Sequence, residues 1–138
     1  MANIAYIMMC HKDPDVIIAQ AVQLTAKGDF LAIHFDARVG DAAFQTIKGA
    51  LKFNPSVVFA KREKCGWGEW SLVQATLNAV KAAEEKFPNA THFYMVSGDC
   101  MPIKSAEYTH DFLDSQNKDY IESFDYFHSG WIKTGMQE

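Results

Sequence analysis

Side chains able to bind or activate a polar ligand recur in this chain directly after short apolar runs. His11-Lys12-Asp13 follows Ile4 to Cys10, and His34-Phe35-Asp36 closes the run that begins at Phe30. Lys61-Arg62 follows Ser56 to Ala60, and Ser97-Gly98-Asp99-Cys100 follows His92 to Val96. Loops are polar in any protein, so the pattern gains weight only from what each segment can do. A divalent ion bridging a diphosphate wants an Asp-x-Asp pair, and the Ser97 segment offers the single carboxylate Asp99, followed by Cys100 and Met101. Asp13-Pro14-Asp15 spells such a pair but reads as a helix cap and turn. His34 and Asp36 would give two ligands, with no third in evidence. Metal-free binding, with no cofactor, is the expectation. Gly98 is expected to permit a backbone turn beside Asp99.

Two familiar phosphate-binding devices are missing. Met9-Cys10-His11-Lys12-Asp13-Pro14 has no glycines where a dinucleotide fingerprint needs them, and no G-x-x-x-x-G-K-[ST] occurs. A phosphoryl-accepting receiver domain would want acidic groups where His11 and Lys12 stand. The most unusual stretch is Cys65-Gly66-Trp67-Gly68-Glu69-Trp70-Ser71-Leu72. Flanking glycines put Trp67 on a tight turn, where an exposed indole face stacks on a base or a sugar. Trp70 is expected to begin the buried stripe of the following helix.

The elements that must position these groups follow from hydrophobic period. Ile4 to Cys10 reads as a buried strand. Asp13-Pro14 supplies an N-cap and a first-turn proline for a helix whose apolar face is Ile17, Ala21 and Leu24 with Ile18 and Val22, ended by Gly28-Asp29. Phe30 to Phe35 is a second strand, and Phe44, Ile47 and Leu51 line the next helix up to Asn54-Pro55. Ser56 to Ala60 is a third strand. Trp70, Val73, Leu77 and Val80 define a long helix stopped at Phe87-Pro88-Asn89. His92 to Val96 is a fourth strand, Ser105 caps a short helix carrying Tyr108 and Phe112, and Asp119 to Glu122 reads as a fifth strand. Alternating strand and helix predict an α/β sandwich around a mostly parallel sheet, with ligands outside the carboxyl ends of the strands. Residues 1–123 are expected to form this unit and residues 124–138 an irregular tail or the start of a second half.

Composition agrees with one domain and narrows its partners. The chain has 138 residues, 49% hydrophobic and 22% charged, enough for a core without disulfide or metal staples. Its formal charge is −4, and only Arg38 and Arg62 are arginines, so a nucleic-acid partner is not expected. No apolar run is long enough to span a bilayer and no signal peptide is read at the N-terminus. Three cysteines without metal-ligand spacing predict a reducing, cytoplasmic setting.

Taken in order, the motifs resemble the core-2/I-branching N-acetylglucosaminyltransferase family (glycosyltransferase family 14), which includes the peptide O-xylosyltransferases. Ile4-Ala5-Tyr6-Ile7 leading to His11 resembles its opening strand, and Ile33-His34-Phe35-Asp36 its I-H-x-D strand. Val57-Val58-Phe59 followed by Trp67-Gly68-Glu69-Trp70-Ser71-Leu72-Val73 is similar to its W-G-x-x-S-L-V turn and helix. Ser97-Gly98-Asp99-Cys100-Met101-Pro102-Ile103-Lys104 is similar to its S-G-x-D-[YF]-P-I-K segment, except that the family's acidic position falls on Cys100.

The resemblance implies a GT-A-type, Rossmann-like three-layer fold and an inverting transfer of N-acetylglucosamine or xylose from a UDP-sugar to a glycan or protein hydroxyl, without a divalent metal. It implies nucleotide contacts from Cys10, His11, Asp36 and Trp67, with Ser97, Gly98, Asp99 and Cys100 near the sugar or diphosphate. It assigns no catalytic residue: the family's base and diphosphate-binding cations follow the part that matches here, while Glu122, Lys118 and Lys133 lie in no matching motif. The expectation is the nucleotide-binding half of a longer, bacterial enzyme, cytoplasmic or peripheral to a membrane. The alternative is a non-catalytic nucleotide- or glycan-binding module on the same scaffold. A homodimer is expected through an uncovered sheet edge and Phe124, Tyr126, Phe127 and Trp131.

Overall fold

The computed structural model describes residues 1–121. Eight elements alternate along them: β1 (Ile4–Cys10), α1 (Pro14–Thr25), β2 (Phe30–Phe35), α2 (Asp41–Leu51), β3 (Val57–Phe59), α3 (Trp70–Lys86), β4 (His92–Ser97) and α4 (Ala106–Gln116). The strands form one sheet in the order β3-β2-β1-β4, and every pairing is parallel. Right-handed crossovers then dictate the layers. The steps from β1 to β2 and from β2 to β3 go one way and carry α1 and α2 over one face. The step from β3 to β4 goes back past both, and α3 lands on the other face. The result is the expected three-layer α/β sandwich.

The two faces are packed differently. Beneath α1 and α2, large side chains meet: Met8, Ile33 and Phe35 of the sheet against Ile17, Ile47 and Leu51. Beneath α3 the contact is between small residues, Ala5 and Ala32 of the sheet against Ala79 and Ala83. This corrects the expected apolar face of α3. Its alanines Ala75, Ala79 and Ala83 are buried and Val80 packs against them as expected, while Trp70 is 69% and Leu77 50% exposed and Val73 is also exposed. A helix presenting methyl groups can lie closer to the sheet than one presenting Trp and Leu, and 3.6-residue periodicity fits both faces equally well. Trp70 is therefore a surface residue, not the start of a buried stripe.

Smaller differences have local causes. Asp13 does occupy the N-cap position with Pro14 after it, but its side chain makes no cap bond, and its backbone sits in the left-handed region at φ 51°. On α1, Ile17, Ala21 and Leu24 are buried as expected while Val22 is exposed. The α4 cap is as read, with Ser105 Oγ accepting from the Tyr108 N–H at 3.1 Å. Asp119, Tyr120 and Ile121 form no strand, and Glu122, the last residue of the expected fifth strand, lies outside the described residues. So does the tail 124–138, including Phe124, Tyr126, Phe127, Trp131 and Lys133. Among the described residues no helix is long and apolar enough to cross a membrane.

One buried polar link ties α4 to the sheet. Asp29, read from sequence only as a helix stop, is fully buried and accepts the Ile4 N–H at 2.9 Å. Both its oxygens lie 2.8 Å from His110 Nε2 of α4. Leu113, one turn further along, completes the attachment by joining the core.

Candidate functional site

The sheet order places the topological switch point between β1 and β4, because the connections leaving β1 run to one side and β4 arrives from the other. Those strands end at Cys10 and Ser97, so the crevice is made by Met9 to Lys12 and Ser97 to Asp99. It is narrow, with a cavity of about 30 Å³, roughly room for one water-sized group. Anything larger than a water-sized group would therefore lie across the open edge rather than inside an enclosed pocket. Larger hollows exist, including one of about 850 Å³ between β4 and α4. That hollow runs along the flank of the sheet, away from the strand ends where the polar groups converge.

Gly98 explains the narrowness. A Cβ there would come 2.8 Å from the Cys10 Cβ, so the two strand ends approach as closely as a glycine allows. Close approach, rather than a positive φ, is what requires glycine at this turn. The Gly98 N–H donates to Met9 O at 3.0 Å and holds the gap. Across it, Lys12 Nζ lies 3.4 Å from Asp99 Oδ2, with both side chains more than half exposed. An ion pair that exposed contributes at most about 1 kcal/mol and a ligand can open it.

The other sequence candidates join this edge through backbone links. The Asp36 N–H donates to Cys10 O at 2.9 Å. Asp36 Oδ1 accepts from the Arg38 N–H at 2.8 Å and the Cys65 N–H at 3.2 Å. That second bond draws the segment before Trp67 against the end of β2. Cys10 is buried, its Sγ against His34 O at 3.5 Å, and burial pushes its thiol up to about 12. It contributes shape and backbone here, not a reactive sulfur. His11 is exposed on the crevice rim. Cys100 is exposed in the turn after β4, where its Sγ lies 3.2 Å from the Ser97 N–H and 3.3 Å from Ser97 Oγ. Those bonds lower its pKa from the ordinary thiol value.

Trp67 is 98% exposed, so its ring belongs to no core. Its loop is nevertheless fixed. The Glu69 N–H donates to Gly66 O at 3.1 Å, closing a turn whose third residue, Gly68, has φ 69°. The Gly66 N–H donates to Ser71 Oγ at 2.9 Å, tying the turn to the first turn of α3. Upstream, the Ala37 N–H donates to Glu63 O at 2.9 Å, and Asn78 Nδ2 of α3 reaches both Lys61 O and Glu63 Oε1.

Two residues that the sequence places at strand ends, Arg62 and His34, organise this region as scaffold groups. Arg62 donates from Nε to Phe35 O and from Nη2 to Asp36 O and Val39 O, all at 2.8–2.9 Å, and pairs through Nη1 with Asp41. Its guanidinium also lies over Phe44, 4.3 Å from the ring centroid. The signal in the sequence was scarcity, since one of only two arginines stands at a strand end. His34 is buried on the face opposite Phe35, and its Nε2 accepts the Glu63 N–H at 2.8 Å. Among the described residues no three His, Cys, Asp or Glu side chains cluster as metal ligands would.

An open parallel α/β sheet with helices on both faces and polar groups at its carboxyl edge defines a Rossmann-like three-layer class of protein. Within that class the assignment is specific. A family model described as Core-2/I-Branching enzyme matches residues 4–134, and the chain belongs to that family of glycosyltransferases, for which a nucleotide-sugar donor and an acceptor are the implied partners. No curated protein matches the chain.

Proposed function

We propose that the chain forms the nucleotide-binding half of an inverting, metal-independent glycosyltransferase moving N-acetylglucosamine or xylose from a UDP-sugar to a glycan or protein hydroxyl. The observation that carries this reading is the fully exposed Trp67 on a hydrogen-bonded loop tied to Asp36 at the carboxyl end of β2. The indole face stacks on uracil, while Asp36, Cys10 and His11 border the nucleoside. Ser97, Gly98, Asp99 and Cys100 face the diphosphate and sugar. Lys12 exchanges its weak pairing with Asp99 for the phosphates, whose negative charge grows as the sugar leaves. Free cysteines Cys10, Cys65 and Cys100 support a reducing, cytoplasmic setting.

The test is calorimetric titration with UDP, with and without a chelator. Binding at millimolar concentration that ignores the chelator is expected, and no binding in either case sinks the site. Trp67→Ala should weaken UDP about tenfold or more, the size of one lost base stack, while leaving the melting midpoint nearly unchanged.

A second reading, nucleotide or glycan binding without turnover, has its own observation. Asp36 Oδ1 is committed to two backbone amides, so this strand-end carboxylate serves the fold rather than standing free as a general base. A transfer assay on the chain decides, since turnover would exclude it.

The reading extends to a homodimer through β4, whose outer edge is unpaired among the described residues and whose Phe93, Tyr94 and Met95 are exposed. Sedimentation velocity should show a dimer that Met95→Lys converts to monomer, and a wild-type monomer at all concentrations would refute it.

A further inference from the structure

Glu63 is the hinge between the sheet and the Trp67 loop, and its backbone is held from both sides. Its carbonyl accepts the Ala37 N–H at 2.9 Å, and its own N–H donates to His34 Nε2 at 2.8 Å. The second bond exists only while Nε2 carries no proton. A protonated ring would set N–H against N–H, and His34 is only 1% exposed, so solvent is a poor substitute partner for the two donors. Two residues on, the Cys65 N–H reaches Asp36 Oδ1, and two further on stands Trp67. A displacement of Glu63 therefore reaches the indole along a short segment hydrogen-bonded at Cys65 and Gly66.

We propose that His34 is the positioning residue of the Trp67 loop: its neutral imidazole, by accepting the Glu63 amide, sets the indole for nucleotide, and uptake of a proton releases the loop and weakens binding. This rests on the reading that Trp67 stacks on the base. The charged groups facing the ring are Asp36 beyond the end of its own strand and Arg62 and Glu63 on the segment after β3. β1 brings the Cys10 thiol to the His34 carbonyl, and α3 brings the neutral Asn78 to Glu63. Burial holds the imidazole below its ordinary 6.5, against the opposing pull of Asp36, its own backbone hydrogen bond and Glu63. The latch is thus closed at neutral pH and opens as pH falls through a value below 6.5.

The experiment measures UDP affinity from about pH 7.5 to about pH 5 for the wild type and His34→Gln, whose amide oxygen offers an acceptor that does not titrate. The terminal phosphate of UDP takes up a proton in the same range and affects both proteins alike. The wild type should lose about tenfold or more beyond the loss in His34→Gln. Exchange of the Glu63 amide, followed by NMR without nucleotide, should lose protection at acid pH in the wild type and keep it in His34→Gln. Identical pH profiles in the two proteins, or a Glu63 amide equally protected across the range in the wild type, would overturn the proposal. If His34→Gln does not fold, the wild type decides by whether the His34 ring titration and the loss of Glu63 protection share a midpoint. Failure of UDP to bind at neutral pH defeats the nucleotide reading alone, because the amide measurement judges the latch without ligand.

Discussion

The three cysteines show how one side-chain type acquires three characters within one sheet edge. Burial pushes Cys10 up to about 12, so its thiolate is scarce at any physiological pH. Cys65 is also raised, by partial burial and then by the nearby Asp36. Cys100 is lowered, because its thiolate is stabilised by the hydroxyl and the backbone N–H of Ser97, both within hydrogen-bond distance of the sulfur. Alkylation of the folded protein at neutral pH, followed by peptide mass spectrometry, should therefore label Cys100 first and Cys10 last. Ser97→Ala should slow Cys100 several-fold, and equal labelling of Cys10 and Cys100 would contradict the hydrogen-bonding account. None of this was legible in spacing. A thiol's reactivity depends on what lies across the fold from it, and Ser97 was visible as a neighbour but not as a donor.

At the scale of elements, α3 and α4 attach to the sheet by different physics. The buried face of α3 is largely alanine, with Ala79 and Ala83 packed among Ala5, Ile7 and Ala32 of the sheet. Ala79→Leu should cost about 1–3 kcal/mol by overpacking, whereas Leu77→Ser on the outer face should stay within about 0.5 kcal/mol. Urea denaturation of the two variants checks the orientation, and the opposite ranking would restore the stripe read from periodicity. The attachment of α4 rests on a polar link. His110→Ala leaves the Asp29 carboxylate buried with only the Ile4 amide as partner, and should cost about 3 kcal/mol. A loss below about 1 kcal/mol would mean that water reaches Asp29 and that Leu113 alone holds the helix.

Across the whole molecule, His34 couples nucleotide placement to stability. Its folded pKa is depressed, so in the interval between that value and 6.5 the unfolded chain binds more protons than the folded one. Stability should therefore fall as pH drops below 6.5, and this contribution should level off once pH passes the folded value. Denaturation midpoints as a function of pH for the wild type and His34→Gln isolate the effect, since the variant should lack that slope. An unchanged slope would place the acid sensitivity in the carboxylates instead.

The sequence alone determined the order and kind of the eight elements from β1 to α4, though not the fifth strand read at Asp119, because the alternation of apolar runs and amphipathic stretches is local. It also determined the family, through the Trp67-Gly68 and Ser97-Gly98 segments, and the sheet edge where polar groups would gather. Tertiary structure decided which face of α3 is buried, since two apolar faces satisfied the same period and only close packing against Ala5 and Ala32 chose between them. It assigned Arg62, His34 and Asp29 their partners, 21 to 81 positions away along the chain. It also showed that Gly98 is needed because two strand ends nearly touch. Each of these outcomes depends on distances across the sheet, and a linear pattern carries no information about them.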